Sequence, residues 1–166
     1  MQNLNFDDFS KQSLIDLIKM YSDLFFVMDA LWFLTTEEMT DYETALKIDV
    51  DVWKKYGRKE AKRLRSLFNV QDSSLETTLE ILIRAPFMLQ VECHYEILTE
   101  KEAILHIEYC RTLEAMKQAG RTRFVCEPVS GAYFKAFAKE INPDIRVRPI
   151  RLPPAYMEGC EWSFSI

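Results

Sequence analysis

The chain predicts an α+β fold, with N-terminal helices followed by strands and further helices in the order α-α-α-β-β-α-α-β-β. Two periodicities and their punctuation carry this reading. Apolar residues recur at three- and four-residue steps as far as Arg84, and from Phe87 they alternate with polar ones at every second position. Pro86, Gly120 and Pro128 then fall at the changes between the two patterns, where helices stop or start.

At 166 residues the chain suits one domain, 1–166, with a helical half at 1–86 and a sheet half at 87–166. Apolar residues make up 48% and only 4 glycines and 6 prolines occur, a composition of ordered globular protein. With 26 acidic against 21 basic residues the net charge is -5, which disfavours nucleic acid and anionic membrane as partners. The polar, acidic start MQNLNFDDFSK lacks the regions of a signal peptide and points to a cytoplasmic protein. Cys93, Cys110, Cys126 and Cys160 are then expected as reduced thiols.

The first helix is expected over Ser10 to about Thr35, with Leu14, Ile18, Tyr21, Phe25, Met28 and Trp32 along one face. Its segment LFFVMDALWFL, Leu24 to Leu34, is apolar except for Asp29 and is too short to span a bilayer. On a wheel Asp29 falls between Phe25 and Phe33, with no obvious solvent side. The second helix starts near Thr40, capped there with Glu43 three residues on, and its inner arc is Ala45, Leu46, Val52, Trp53 and Tyr56. Asp49 falls near the middle of that arc, whereas Asp51 points away among Lys47, Lys54 and Arg58. Two helices therefore each carry one acid on or beside an apolar face.

Burying an unpaired carboxylate costs several kcal/mol. Asp29 and Asp49 are therefore either structural, as caps, salt-bridge partners of a residue such as Arg63 or acceptors of a Tyr or Trp proton, or polar walls of an apolar cavity. In the second case burial raises their pKa values and suits them to proton transfer or ligand orientation. A third helix, capped by Ser73 or Ser74 and running LETTLEILIR, ends before Pro86.

In FMLQVECHYEI, Phe87, Leu89, Val91, Cys93, Tyr95 and Ile97 share the inner face of a strand. The turn LTEKEA leads to a partner strand with Leu105, Ile107 and Tyr109 inward and His106 and Glu108 outward. The helix CRTLEAMKQAG places Cys110 at its start, and a second helix places Cys126 just upstream of Pro128. Helix N-termini with Arg111, Arg121 and Arg123 nearby favour thiolate. Strands near IRVRPIR and CEWSFSI close the chain, the latter with Cys160, Trp162, Phe164 and Ile166 on one side. Cys110, Cys126 and Cys160 contain no CxxC pair, so they are either ordinary semi-buried thiols or a converging metal or reactive-thiol site. Glu127, His106 or Asp29 would complete four-coordination of a metal such as zinc or iron. His94 and His106 read as solvated, and no phosphate loop, HExxH motif or nucleophile elbow occurs.

The runs DALWFLTTEE, ALKIDVDVWKKYGRKEAKRL, CRTLEAMKQAG, VCEPV, FAKEINPDIRVRPIRLPP and CEWSF together resemble an uncharacterised family of prokaryotic cytosolic proteins over nearly the whole chain. More distantly, the order of Cys, helix, CE, helix, strand and GCEWSF is similar to the L-2-amino-thiazoline-4-carboxylic acid hydrolase family and to the 4-vinyl-reductase-type small-molecule-binding domain. These resemblances imply the α+β fold of haem nitric-oxide sensors and Golgi-transport subunits, N-terminal helices packed on a four-stranded antiparallel sheet, with an apolar cavity between helices and sheet and frequent dimers. The 4-vinyl-reductase type has a further cysteine where this chain has Leu152 and Pro153, and neither histidine lies where a proximal haem ligand belongs.

The function expected first is a small-molecule-binding domain for an apolar or mixed-polarity compound. Its pocket is walled by Phe25, Trp32, Phe33, Trp53 and Tyr56 and given polar direction by Asp29 and Asp49. The second is a metal- or thiol-dependent hydrolase of a small cyclic or amide-like substrate, using Cys110, Cys126 and Cys160 with Asp29 or Glu127 moving protons. The third is a homodimeric interaction protein in which the Leu24–Leu34 helix packs on its twin without a pocket. A homodimer is also compatible with the first two.

Overall fold

The computed structural model describes residues 5–166, so the first four residues of the polar start lie outside it. Five helices and one sheet follow the expected order: α1 Lys11–Met39, α2 Tyr42–Leu67, α3 Leu75–Leu82, β1 Val91–Thr99, β2 Glu102–Cys110, α4 Arg111–Gln118, α5 Gly131–Ile141, β3 Arg146–Arg151 and β4 Cys160–Ser165. The four strands form an antiparallel sheet in the order β1-β2-β4-β3. No helix among the described residues is long and apolar enough to cross a membrane.

The first three helices each start where a side-chain oxygen meets an orphan N–H, whereas α4 and α5 start without a side-chain cap. Ser10 accepts from the Ser13 N–H at 3.1 Å, Asp41 from Thr44 at 2.9 Å and Ser74 from Thr77 at 3.2 Å. The cap of α2 is therefore Asp41 and not Thr40, whose hydroxyl instead bonds back to the Thr36 carbonyl at 2.6 Å. Thr36 does the same to Trp32 at 2.8 Å, and α1 runs past residue 35 to Met39.

The core lies between α2, α3 and α5 on one side and the inner face of the sheet on the other. Leu79, Leu105, Phe134, Phe137, Trp162 and Phe164 are fully buried there. Gly57 lets α2 meet α5: a Cβ at that position would stand 2.9 Å from the Tyr133 carbonyl oxygen and 3.0 Å from its ring. Glu60, one turn further along α2 and 5% exposed, accepts the Tyr56 hydroxyl at 2.7 Å and the Tyr133 hydroxyl at 2.5 Å. Burial raises its pKa, and the two tyrosine hydroxyls and the Phe87 backbone N–H act against the rise.

Several expectations need correction. Phe87 to Gln90 do not begin the strand; Pro86–Gln90 form a 3₁₀ turn, closed by the Met88 N–H on the Ala85 carbonyl at 2.8 Å. The turn buries the consecutive residues Phe87 and Met88 and turns Leu89 outward, which strand alternation forbids. Pro128 sits in a wide π-type turn, Cys126–Ser130, before α5 rather than in its first turn. Val52 and Ile166 are 48% and 46% exposed, not inward. The largest correction concerns α1. Its buried residues are Ser22 and Phe26, whereas Ile18, Tyr21, Met28 and Trp32 of the expected inner face are 57–67% exposed. On the helical wheel the buried arc lies about a quarter turn from the expected stripe. Apolar residues circle α1 so broadly that their spacing does not say which arc meets the rest of the chain.

Candidate functional site

Between α1, α2 and α4 lies a cavity of roughly 330 Å³, within the size range of about 300–1,000 Å³ usual for small-molecule sites. α1 supplies Phe26, Asp29, Phe33 and the rim residues Val27, Leu31 and Leu34, α2 supplies Asp49, and α4 faces them with Thr112, Ala115, Met116 and Ala119. The room arises from α4: Thr112, Ala115 and Ala119 fall on one helix face at three- and four-residue steps, and their small side chains leave the gap that larger ones would fill.

Ion pairs hold α4 and its C-terminal loop across this gap. Arg111 pairs with Asp23 near one end, and Arg121 pairs with Glu37 at 2.7 Å near the other. The Arg121 guanidinium also lies 5.8 Å from the Phe33 ring centre and 5.9 Å from that of Tyr42. Arg123 pairs with Glu43 on α2 and stacks on Tyr42 at 3.6 Å. A further chain runs from Arg111 to Gln90 at 3.3 Å and from Gln90 to Ser22 at 3.0 Å, anchoring α1 to the 3₁₀ turn.

The two acids sit at the inner end of the cavity, where α1 meets α2. The Trp53 indole N–H donates to Asp29 Oδ1 at 3.1 Å and lies near enough to Asp49 to work against the rise of its pKa. Neither acid forms an ion pair among the described residues, and the arginines on the cavity wall are taken by Asp23 and Glu37. Burial raises Asp29 to about 6 against the Trp53 hydrogen bond. Burial, and then repulsion by Asp29, raises Asp49 to about 7. Near neutral pH the pair therefore shares titratable protons inside an otherwise apolar space.

Among the residues singled out from sequence, Asp29, Phe33 and Asp49 line the cavity. Phe25, Trp53 and Tyr56 pack on one another beside it: ring centres are 5.9 Å apart for Phe25 and Trp53 and 5.3 Å for Phe25 and Tyr56. Trp32 is 67% exposed on the outer side of α1. Sequence reasoning assigned Arg111 and Arg121 to the cysteines rather than to the cavity and passed over Ala115 and Ala119, although the small-residue spacing on α4 was a visible signal for the two alanines.

Cys110, Cys126 and Cys160 lie near enough to influence one another's ionisation, and Cys160 Sγ accepts the Trp162 indole N–H at 3.3 Å. The expected thiolate character is not found. Burial raises all three, Cys126 and Cys160 to about 12, and outweighs the N–H groups that Cys110 receives at the start of α4. The arginines thought to assist them are turned to carboxylates on α1 and α2. Among the described residues no group of three or more His, Cys, Asp or Glu side chains is arranged to hold a metal ion. His106 is half-buried beside Glu161 at 3.3 Å and stacks on His94 with ring centres 4.7 Å apart, so it is not the freely solvated imidazole expected.

No curated protein and no solved structure matches the chain, and the likeness to the hydrolase and reductase types rests on the quoted motifs alone. Residues 7–166 match a family model, and the chain belongs to that family, a family of unknown function designated DUF6125.

Proposed function

We propose that the protein binds a small, largely apolar molecule in the cavity between α1, α2 and α4, with Asp29 and Asp49 orienting a hydrogen-bond donor such as an amine, amide or hydroxyl. One observation carries the reading: two carboxyl groups that have no cationic partner among the described residues stand in an apolar space. A protonated acid can also donate, so the pair is able to hold a donor or an acceptor according to its charge state. The cavity adjoins helices on three sides and not the sheet, unlike the helix-and-sheet pocket expected from sequence.

A cysteine-centred hydrolase has less support, because the raised thiol pKa values remove the nucleophile at neutral pH. The binding reading is tested by fluorescence titration with N-phenyl-1-naphthylamine, an apolar probe with one N–H donor, against wild type and Ala115→Trp. The indole is expected to fill the cavity and abolish saturable binding while far-ultraviolet circular dichroism stays unchanged. Equal binding by a folded Ala115→Trp variant, or none by wild type, contradicts the reading.

A further inference from the structure

The outer face of α1 carries a second pattern. Leu17, Met20, Leu24, Val27, Leu31 and Leu34 follow one another at alternating three- and four-residue steps, the spacing of a coiled-coil seam. From Met20 to Leu34 these side chains are 39–55% exposed, and Tyr21, Met28 and Trp32 beside them are 62–67% exposed. Together they present apolar surface on the order of 1,000 Å², against a few hundred Å² for an ordinary patch on a monomer and about 800 Å² per partner in a stable interface. No seam position from Leu17 to Leu34 is charged; of the charged residues between them, Asp23 at the seam's edge pairs with Arg111, Asp29 lines the cavity and Lys19 lies about a third of a turn away.

Three of the seam residues, Val27, Leu31 and Leu34, also form the rim of the cavity, so whatever covers the seam covers the cavity mouth. We infer that a second copy of this chain packs its α1 antiparallel on the first and roofs the binding cavity of each protomer. A seam of this length on one helix is self-complementary about a twofold axis crossing it between Leu24 and Val27. In that register Leu17 opposes Leu34, Met20 opposes Leu31, and Leu24 opposes Val27. Antiparallel pairing sets opposite helix dipoles side by side and keeps the two Glu38 carboxylates apart, each facing a Ser13. The seam positions carry no cation to hold an anionic lipid surface, whereas two uncharged seams meet without setting like charges against each other.

The inference rests on the proposed cavity for its consequence, that binding and dimerisation are linked, but the dimer itself is measured without ligand. Sedimentation equilibrium of the full chain is expected to give a dimer with a dissociation constant below 10 µM. Leu24→Glu and, separately, Met20→Glu are expected to weaken it at least 100-fold, with circular dichroism unchanged. Amide exchange over residues 17–34 should be slow in wild type and fast in the variants, while α5 and the sheet stay protected. N-phenyl-1-naphthylamine should bind the monomeric variants at least tenfold more weakly than the wild-type dimer. A monomeric wild type, a dimer indifferent to both substitutions, a monomer that binds phosphatidylglycerol vesicles through α1, or probe affinity equal in dimer and folded monomer overturns the inference. A wild-type dimer broken by the substitutions but binding no probe would instead remove the ligand reading and leave the interface standing.

Discussion

Replacing Asp49 by asparagine should stabilise the protein, and increasingly so as pH rises. In the folded chain burial and the neighbouring Asp29 lift the Asp49 carboxyl from its ordinary 3.8 to about 7. A group raised on folding binds its proton more tightly in the folded state. Its contribution is therefore most favourable below about pH 4 and is lost as pH climbs through 7. A rise of that size corresponds to about 4 kcal/mol at its fullest, and solvent access to the half-buried group reduces the expectation to about 2 kcal/mol. Asparagine keeps the shape and removes the charge. Urea unfolding followed by circular dichroism at pH 5 and pH 8 should show the advantage of Asp49→Asn growing by about 2 kcal/mol between the two, or about 4–8 °C in Tm. An advantage independent of pH, or a variant less stable than wild type at pH 8, would show that the Asp49 carboxylate is held ionised by a partner and would refute the reasoning.

Four further outcomes follow from the same contacts. Trp53→Phe keeps a ring in place but removes the donor to Asp29, and should cost about 1–2 kcal/mol in urea unfolding while moving the Asp29 titration to higher pH. Glu60→Ala leaves the buried Tyr133 and Tyr56 hydroxyls without their acceptor and should cost about 2–4 kcal/mol by the same assay; a cost under about 0.5 kcal/mol would mean water replaces the carboxylate freely. Gly57→Ala pushes a methyl into the Tyr133 backbone and should cost about 1–3 kcal/mol, lowering Tm without changing the helix content at 20 °C. With Cys126 and Cys160 raised to about 12, their alkylation at pH 8 should be on the order of 100-fold slower in the native protein than in urea, and comparable rates would contradict the burial of those thiols.

The local rules of the chain carried most of the fold. Alternation over Val91–Thr99 and Glu102–Cys110 marks two strands because pleating is a property of neighbouring residues. Ser10, Ser74 and Gly120 mark helix ends because a cap is satisfied within a few residues, and Gly120 takes the positive φ of 64° that its position past α4 requires. Where two local rules competed, one misled: Pro86 preset a 3₁₀ turn and overrode the alternation that Phe87 and Leu89 continued. The arc of α1 that meets the rest of the chain was not legible, since Leu24 to Leu34 is apolar on nearly every side and its rotation is set by tertiary contacts such as Arg111–Asp23, Arg121–Glu37, Trp53–Asp29 and the Phe26–Phe87 stack. For the same reason the sequence singled out Asp29 and Asp49, which are conspicuous within their own helices, but not α4 as the opposite wall. That wall is chosen by contacts between residues more than eighty positions apart.

Carboxyl ¹³C NMR of Asp29 and Asp49, titrated from pH 3 to pH 9 with and without N-phenyl-1-naphthylamine, bears most directly on the cavity as a polar-ended binding site. The account predicts midpoints near 6 and 7 in the free protein and a displacement of both when the probe binds. Two carboxyl groups titrating near 4, as in open water, and insensitive to the probe would contradict it.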